Sequence, residues 1–342
     1  MNRVDIIILS WDRTDETLAA IRSAREQTGV DRRVYVVDQG TQEHDLKRLL
    51  DYCSQHDDVE VRLNDRNSGV PGGRNQASEM GRGAYIVALD NDAEFGDPEV
   101  CARAAAIMDE RPDLASLAFR INVFDSPADA PIVDKSSWAY HPLDPDAAAG
   151  DIFKAKTFVG AGHLIRRSVF KKVGAYDERL FFMHEEADLC DRMINAGYGI
   201  EYRGDLVIRH KVSAEHRVKW AAGRFERHLR NKIYLMMKQE GVTFDAFSEM
   251  LVQTVGGIRA GFASGAVRGM VGALGMIPAA LEERRSNPYL ERSEAAASYL
   301  ETVANNKPVE GGHVPPWRNA NKLYQLYCRL RWETDFRALF KS

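Results

Sequence analysis

Residues 4–9, 34–37 and 85–89 are short apolar runs rich in β-branched side chains, and each stops abruptly at polar residues. Runs of this length read as buried strands. Helical spacing follows the first two. Leu18, Ile21 and Ala24 come after Thr14, a candidate N-cap, and Leu46, Leu49, Leu50 and Cys53 share one helix face. Residues 59–63 alternate and read as a third, more exposed strand, ahead of a Gly-rich loop and a short helix. Strand–helix units in succession predict an α/β chain with a doubly wound, mainly parallel sheet, right-handed crossovers and helices on its faces.

The pattern continues less regularly. Asp97 and Pro98 suit the N-cap and first position of a helix carrying Val100, Ala104, Ile107 and Met108 on one side. Residues 115–124 read as a strand, 125–150 as a surface loop or flap, 181–196 as holding a helix that stops at Gly197, and 206–208 as a last short strand before His210. After about residue 212 strand patterns give way to helical ones. Residues 209–232 hold eight Lys or Arg and two acids, and 251–281 are rich in Gly and Ala. The uncharged run between Arg268 and Glu282, 13 residues, is too short to span a bilayer. A Pro/Gly-rich connector at 308–316 precedes a final helical stretch with Trp317, Tyr324, Tyr327 and Trp332.

A chain of 342 residues with 44% hydrophobic and 28% charged residues is composed like a soluble globular protein. Its net charge of −4 gives no reason to expect nucleic acid as a partner. The four cysteines are scattered, without metal-ligand spacing, and fit reduced thiols in the cytoplasm. Residues 4–9 are too short for the apolar core of a signal peptide.

Ligands in open α/β sheets bind beyond the carboxyl ends of the strands, so the polar residues there are the candidates for chemistry. Asp90-Asn91-Asp92 ends the strand 85–89. Two acids this close repel unless a cation lies between them, which suits a hard metal; the same triplet also suits a turn. Asp38 ends the second strand, where an acid can bind a nucleoside or cap a turn. The run 67–75, with Gly69, Gly72, Gly73 and Arg74, allows close backbone approach and offers a positive charge to a diphosphate, although it lacks the Gly-Lys-Ser/Thr ending of a Walker loop. Glu185 and Glu186 open a helix in which Asp188 and Arg192 are spaced for an ion pair. They complement the helix dipole, or one of them is a general base. His210 is a candidate metal or phosphate ligand at a strand end, or a satisfied structural residue.

Taken together and in chain order, residues 4–13, 36–40, 67–75, 89–92, 160–167, 173–182 and 185–189 resemble the family 2 glycosyltransferases, and in particular their rhamnosyltransferase-like branch. The resemblance implies a GT-A fold over residues 1–212, with a donor half at about 1–95 and an acceptor half at about 96–212, followed by a helical region over 213–342. It implies an inverting transfer from a nucleotide-diphospho-sugar, carrying UDP or dTDP, to a hydroxyl of a glycan or polyprenyl-linked saccharide in bacterial surface polysaccharide synthesis. Ser10, Trp11, Arg13, Asp38, Asn67, Gly69, Arg74, Asp90 and Asn91 would lie on the donor side, with Asp38 at the nucleoside and Arg74 near the diphosphate. Asp92 would ligate Mg²⁺ or Mn²⁺ directly, with Asp90 and His210 completing the site. Glu186 would be the base, although Glu stands where Asp is usual, which keeps Glu185 in play. Gly162, His163 and His184 would face the acceptor. The basic first part of the helical region would line the diphosphate site or meet an anionic membrane from the cytoplasmic side, and residues 251–281 would form an interfacial amphipathic helix or an ordinary helical subdomain packed on the catalytic domain or on a second subunit. A sugar nucleotidyltransferase would carry a Gly-rich basic signature after the first strand, which Ser10-Trp11-Asp12-Arg13 does not supply. A catalytically silent sugar-nucleotide- or glycan-binding protein is the other alternative.

Overall fold

In the computed structural model, which describes residues 3–127, 129–140, 143–211, 221–304 and 322–332, the first four strands lie side by side and parallel. They are β1 (Arg3–Ser10), β2 (Asp31–Asp38), β3 (Val59–Leu63) and β4 (Tyr85–Leu89), ordered β3-β2-β1-β4. The helices α1 (Thr14–Arg25), α2 (Glu43–Cys53) and α3 (Gly69–Met80) connect them. Val4, Ile6, Ile8, Val34, Val36 and Val87 are fully buried in the resulting core. Because the strands are parallel, residues 10–13, 38–41 and 90–92 emerge at one edge; Ser10 is paired with Asp38 in register.

The sheet then continues as β4-β8-β6-β9-β5, and this half is mixed. β8 (Gly162–Arg166) runs antiparallel to β4 and to β6 (Leu114–Val123), which is parallel to β9 (Gly199–His210). β9 is much longer than the expected strand at 206–208. The short β5 (Ala93–Phe95) leaves the Asp90–Asp92 turn and pairs Ala93 with His210, and β7 (Ile152–Lys154) pairs with β9. The helices α4 (Val100–Glu110), α5 (Pro145–Ala148), α6 (Arg167–Val173) and α7 (Glu185–Asn195) complete the flanks. α4 starts at Val100, two residues later than expected; the Asp97 carboxylate instead accepts from Glu99 N, an Asx turn ahead of the helix.

The chain divides into two units, and the sheet unit includes residues 292–309 as well as 1–212. Its added helix, α12 (Glu294–Ala304), had been expected within a C-terminal region of 213–342. Its Tyr299 hydroxyl accepts from Ile200 N and lies 2.9 Å from Ala155 O, backbone groups that no sequence pattern marks. The second unit holds α8 (Ala221–Glu240), α9 (Phe244–Arg259), α10 (Ala263–Gly275), α11 (Ile277–Ser286) and α13 (Lys322–Trp332). Its Gly/Ala content serves close helix packing. A Cβ at Gly257 would lie 2.4 Å from the Phe225 ring, and one at Gly269 would lie 2.8 Å from Leu229. No single helix among the described residues is long and apolar enough to cross a membrane. The connector at 308–316, Trp317, the basic stretch 212–220 and the side chains of Tyr324, Tyr327 and Trp332 lie outside the described residues.

Candidate active site

The carboxyl edge of β1, β2 and β4 is where the backbone is strained. Among the described residues, five non-glycine residues have positive φ: Asp12, Arg13, Phe181, Met183 and His184. The first two link β1 to α1, and the other three lead into α7. Such conformations cost of order 1–3 kcal/mol each and persist where surrounding structure imposes them, typically at functional sites. Arg13 takes the N-cap position of α1 expected of Thr14. Thr14 is instead buried, with its hydroxyl unpartnered.

Asp90, Asp92 and His210 converge, each offering a ligand atom within 4.8 Å of the others. Local pairing explains this: Ala93 N donates to Asp90 O, Lys211 N donates to Asp92 O, and β5 lays Ala93 against His210. Asp92 Oδ2 accepts from Arg13 at 2.7 Å, and Asp92 Oδ1 lies 3.4 Å from His210 Nε2. Burial raises the Asp92 pKa, but His210 and Arg13 outweigh it and hold the group below the ordinary carboxylate value. Burial likewise opposes charge on His210, yet Asp134 and Asp92 push its pKa up to about 10. Asp134, from the 125–150 segment, has its Oδ2 3.3 Å from His210 Nδ1. Nothing local in the sequence marked it.

Arg74 departs from expectation. Residues 69–80 form α3, so the glycines lie inside a helix rather than in a phosphate-cradling loop. Gly73 is there for packing: a Cβ would fall 2.4 Å from Gln39 Nε2 and 2.8 Å from Leu9. Arg74 is 3% exposed. Its guanidinium donates to Glu186 Oε1 at 3.0 Å, Asp90 Oδ1 at 3.0 Å and Gly160 O at 2.8 Å. It thus ties Asp90 to Glu186 and is buried between them instead of lying open to a diphosphate. Burial alone would lower its pKa, but Tyr176, Asp90 and Glu186 carry it above the ordinary arginine value. Gly160 permits the arrangement, since a Cβ there would lie 2.6 Å from Glu186 Oε1.

The two glutamates at the start of α7 differ. Glu185 is 2% exposed, with Oε2 unpartnered; burial and the adjacent Glu186 raise its pKa well above the ordinary value, against Arg74. The Glu186 side chain is 18% exposed and held by Arg74.

His163 and Gly162 are corrected. Both lie in β8 and are buried. His163 Nδ1 is 3.0 Å from Val159 O, its Nε2 is 2.9 Å from the Tyr176 hydroxyl, and its ring stacks on Phe158. A Cβ at Gly162 would strike Ile208 at 2.5 Å. His184 is half-buried at the N-cap of α7 beside the two glutamates.

On the side nearer β2, Asp38 Oδ2 accepts from Gly40 N and Thr41 N, which closes the turn, while Oδ1 is buried without a partner, as is Ser10 Oγ. Buried polar atoms left unpaired cost about 1–3 kcal/mol, which makes these two suited to a hydrogen bond with a bound ligand. Trp11, 57% exposed, stands beside them in the chain. Asn67 and Asn91 are occupied by structure: Asn67 Oδ1 accepts from Gly69 N, and Asn91 donates to Thr17 Oγ1. Gly69 adopts φ +79° where Phe181 O approaches. Gln39, which sequence reasoning passed over, accepts from Ser68 N and donates to Gly69 O, locking α3 to the end of β2.

A mixed sheet whose parallel half presents Asp38 and Asp90-Asn91-Asp92 at one edge defines a GT-A glycosyltransferase fold. The structure resembles the mannosyltransferase PcManGT from Pyrobaculum calidifontis in complex with GDP-Man and Mn²⁺, with a TM-score of 0.56 and 15% identity over 99% of this chain and 87% of that one. It also resembles GalNAc-T7 with UDP, GalNAc and Mn²⁺, with a TM-score of 0.52 and 15% identity over 62% of this chain and 44% of that one. Residues 5–174 match the model of Glycosyl transferase family 2, and the chain belongs to this family. Curated relatives include an uncharacterized glycosyltransferase of Haemophilus influenzae, 24% identical over 52% of this chain and 57% of that protein's length. Another is the glucosyl-dolichyl phosphate glucuronosyltransferase of Haloferax volcanii, 22% identical over 61% and 69%. The chain thus spans little more than half of the Haemophilus relative.

Proposed function

We propose that the protein is a metal-dependent, inverting glycosyltransferase that moves a sugar from a nucleotide-diphospho-sugar to a hydroxyl of a glycan or lipid-linked saccharide. The observation that carries this reading is the cluster of Asp90, Asp92 and His210, whose ligand atoms lie within 4.8 Å of one another, joined through Asp90 and Arg74 to Glu186. It sets a candidate cation site and a candidate base side by side. The donor set of two carboxylates and one imidazole fits a hard divalent ion, Mg²⁺ or Mn²⁺, the imidazole suiting Mn²⁺ better. Such an ion, when bound, offsets the charge of a departing diphosphate.

The chain's own residues do the rest. The unpaired Asp38 Oδ1 and Ser10 Oγ suit the hydroxyls and N–H groups of a nucleoside, with Trp11 as a surface for its base. UDP or dTDP is the donor nucleotide we favour. Glu186 is the base because it is partly exposed and oriented by Arg74, whereas burial disfavours the charged form of Glu185. The Glu186 carboxylate takes the proton of the acceptor hydroxyl as that oxygen attacks the anomeric carbon from the face opposite the leaving diphosphate, so the configuration inverts. His184, beside the glutamates, is placed to meet the acceptor.

The Haloferax relative's name includes a dolichyl phosphate-linked sugar, which supports a polyprenyl-linked acceptor, and with such an acceptor we place the protein at the cytoplasmic face of a membrane. α10 exposes Val267, Val271 and Leu274 along one face, an apolar strip suited to a lipid surface, while the neighbouring Arg268 is paired with Glu226.

The test is a screen of nucleotide-sugars with Mn²⁺ or EDTA, followed by Glu186→Gln. A matching donor should raise the melting temperature clearly only with metal. Glu186→Gln should keep that shift while transfer falls by about 10²- to 10⁴-fold. Transfer at the wild-type rate in Glu186→Gln would remove Glu186 as the base, and a donor shift indifferent to EDTA would remove the metal.

A further inference from the structure

We propose that Asp134 is a positioning residue of the cation site: it fixes the His210 ring so that Nε2 is offered to a divalent ion shared with Asp92. The inference rests on the metal-dependent reading above. The two ring nitrogens face different carboxylates. Nδ1 is 3.3 Å from Asp134 Oδ2 and Nε2 is 3.4 Å from Asp92 Oδ1. A metal-bound imidazole commonly donates its other N–H to a carboxylate, which sets tautomer and ring orientation. With both carboxylates holding the free ring protonated, a divalent ion would displace the Nε2 proton, and Nδ1–H would go on donating to Asp134 while the Nε2 lone pair turned to the ion beside Asp92 and Asp90.

Asp134 is itself held rigidly. It is 4% exposed. Its Oδ1 accepts from Ser136 N at 3.0 Å and from Ser136 Oγ at 2.5 Å, and its Oδ2 accepts from Ser137 Oγ at 2.6 Å. The backbone is tied to the end of β6, where Asp134 N donates to Ile121 O and Val133 bridges Asn122. That strand pairs with β9 up to Val123 against His210, so Asp134 and its target share one rigid frame. Further along the segment, Trp138 and Tyr140 pack edge-on to one another and against Tyr202 of β9. Among the described residues Asp134 forms no ion pair with Lys or Arg; its charged partner is His210. A buried carboxylate is costly unless its oxygens are used. These oxygens are used to stiffen the Asp134–His210 contact.

The experiment is titration of the full chain with Mn²⁺ alone, reading free Mn²⁺ by electron paramagnetic resonance. Asp134→Ala should weaken Mn²⁺ binding 10- to 100-fold. Asp134→Asn, which keeps a neutral acceptor, should fall between that and the unsubstituted protein. In a His210→Gln background, Asp134→Ala should have no further effect. Long-range ¹H–¹⁵N spectra with Mg²⁺ should show the Nδ1–H tautomer of His210, and Asp134→Ala should lose it. Mn²⁺ affinity within twofold of the unsubstituted protein in Asp134→Ala would overturn the proposal, as would a full loss that persists in the His210→Gln background. If Asp134→Ala does not fold, Asp134→Asn decides: unchanged affinity and tautomer overturn the proposal. Failure of the unsubstituted protein to bind Mn²⁺ at all would instead overturn the metal site beneath it.

Discussion

Replacing Arg74 by Met should destabilise the sheet unit by about 3 kcal/mol, because it strands groups that now share one buried cation. Three hydrogen bonds vanish, to Glu186, Asp90 and Gly160. Removing one partner of a buried ion pair costs about 3–5 kcal/mol. The Asp90 side chain is 40% exposed, so water screens that end and its share is at most about 1 kcal/mol. The Glu186 end is far less exposed, and the Gly160 carbonyl loses a donor worth about 1 kcal/mol. The low end of the range, about 3 kcal/mol, is therefore expected. With a urea m-value of about 3 kcal/mol/M, the midpoint should fall by about 1 M. The loss should depend on pH. Arg74 now opposes the rise in the Glu185 pKa; without it, the folded-state pKa of Glu185 rises further above its unfolded value. That part of the penalty is fully present above the raised folded-state value and shrinks as pH falls through it toward the unfolded value, so Arg74→Met should move closer to wild type as the solution is acidified. Arg74→Lys should recover less than half of the stability, since an ammonium lacks the planar fork that spans two carboxylates and a carbonyl. Combined with Glu186→Gln, the effect should be less than additive. A midpoint shift below about 0.3 M, or strict additivity with Glu186→Gln, would show that Arg74 does not link these carboxylates in solution.

Gly160→Ala should displace Glu186 from Arg74, since the new Cβ would lie 2.6 Å from Glu186 Oε1, and should destabilise the sheet unit by less than Arg74→Met because the bond from Arg74 to Asp90 survives; transfer should fall at least about 10²-fold with donor thermal shift retained, and wild-type transfer would refute this. Val271→Asp with Leu274→Asp, positions 60% and 46% exposed in α10, should lower sedimentation with phosphatidylserine vesicles at least about tenfold, at roughly 1 kcal/mol per lost apolar contact. Unchanged sedimentation would remove α10 from the lipid contact.

The candidate edge of the sheet was readable in the sequence because parallel strands obey a local rule. Each apolar run that ends in polar residues delivers them to the same edge, so Ser10, Asp38 and Asp90–Asp92 are brought together by topology alone. Even His210, far away in the chain, was legible, because it closes an apolar strand just as Asp90 does. What the sequence hid are partnerships between elements. Glycines before an arginine look like a phosphate loop, yet Gly73 admits Gln39 and Leu9 to the flank of α3, and Arg74 bonds a glutamate 112 positions later. His163 has the composition of a site residue and the surroundings of a core one, and only the occupancy of both ring nitrogens separates the two.

Asp134 was illegible for the opposite reason. It sits in a Pro-, Asp- and Ala-rich stretch where an acid is ordinary, and its distinction comes from β6 and β9 carrying it to His210. Residues that touch substrate stand at strand ends and announce themselves by position. Residues that aim them are recruited from wherever the fold passes close by, and they are found from unused or doubly used polar atoms. The orphaned Asp38 Oδ1 and the fully committed Asp134 carboxylate are the two extremes of that accounting, the first short of a ligand and the second spent on holding one in place.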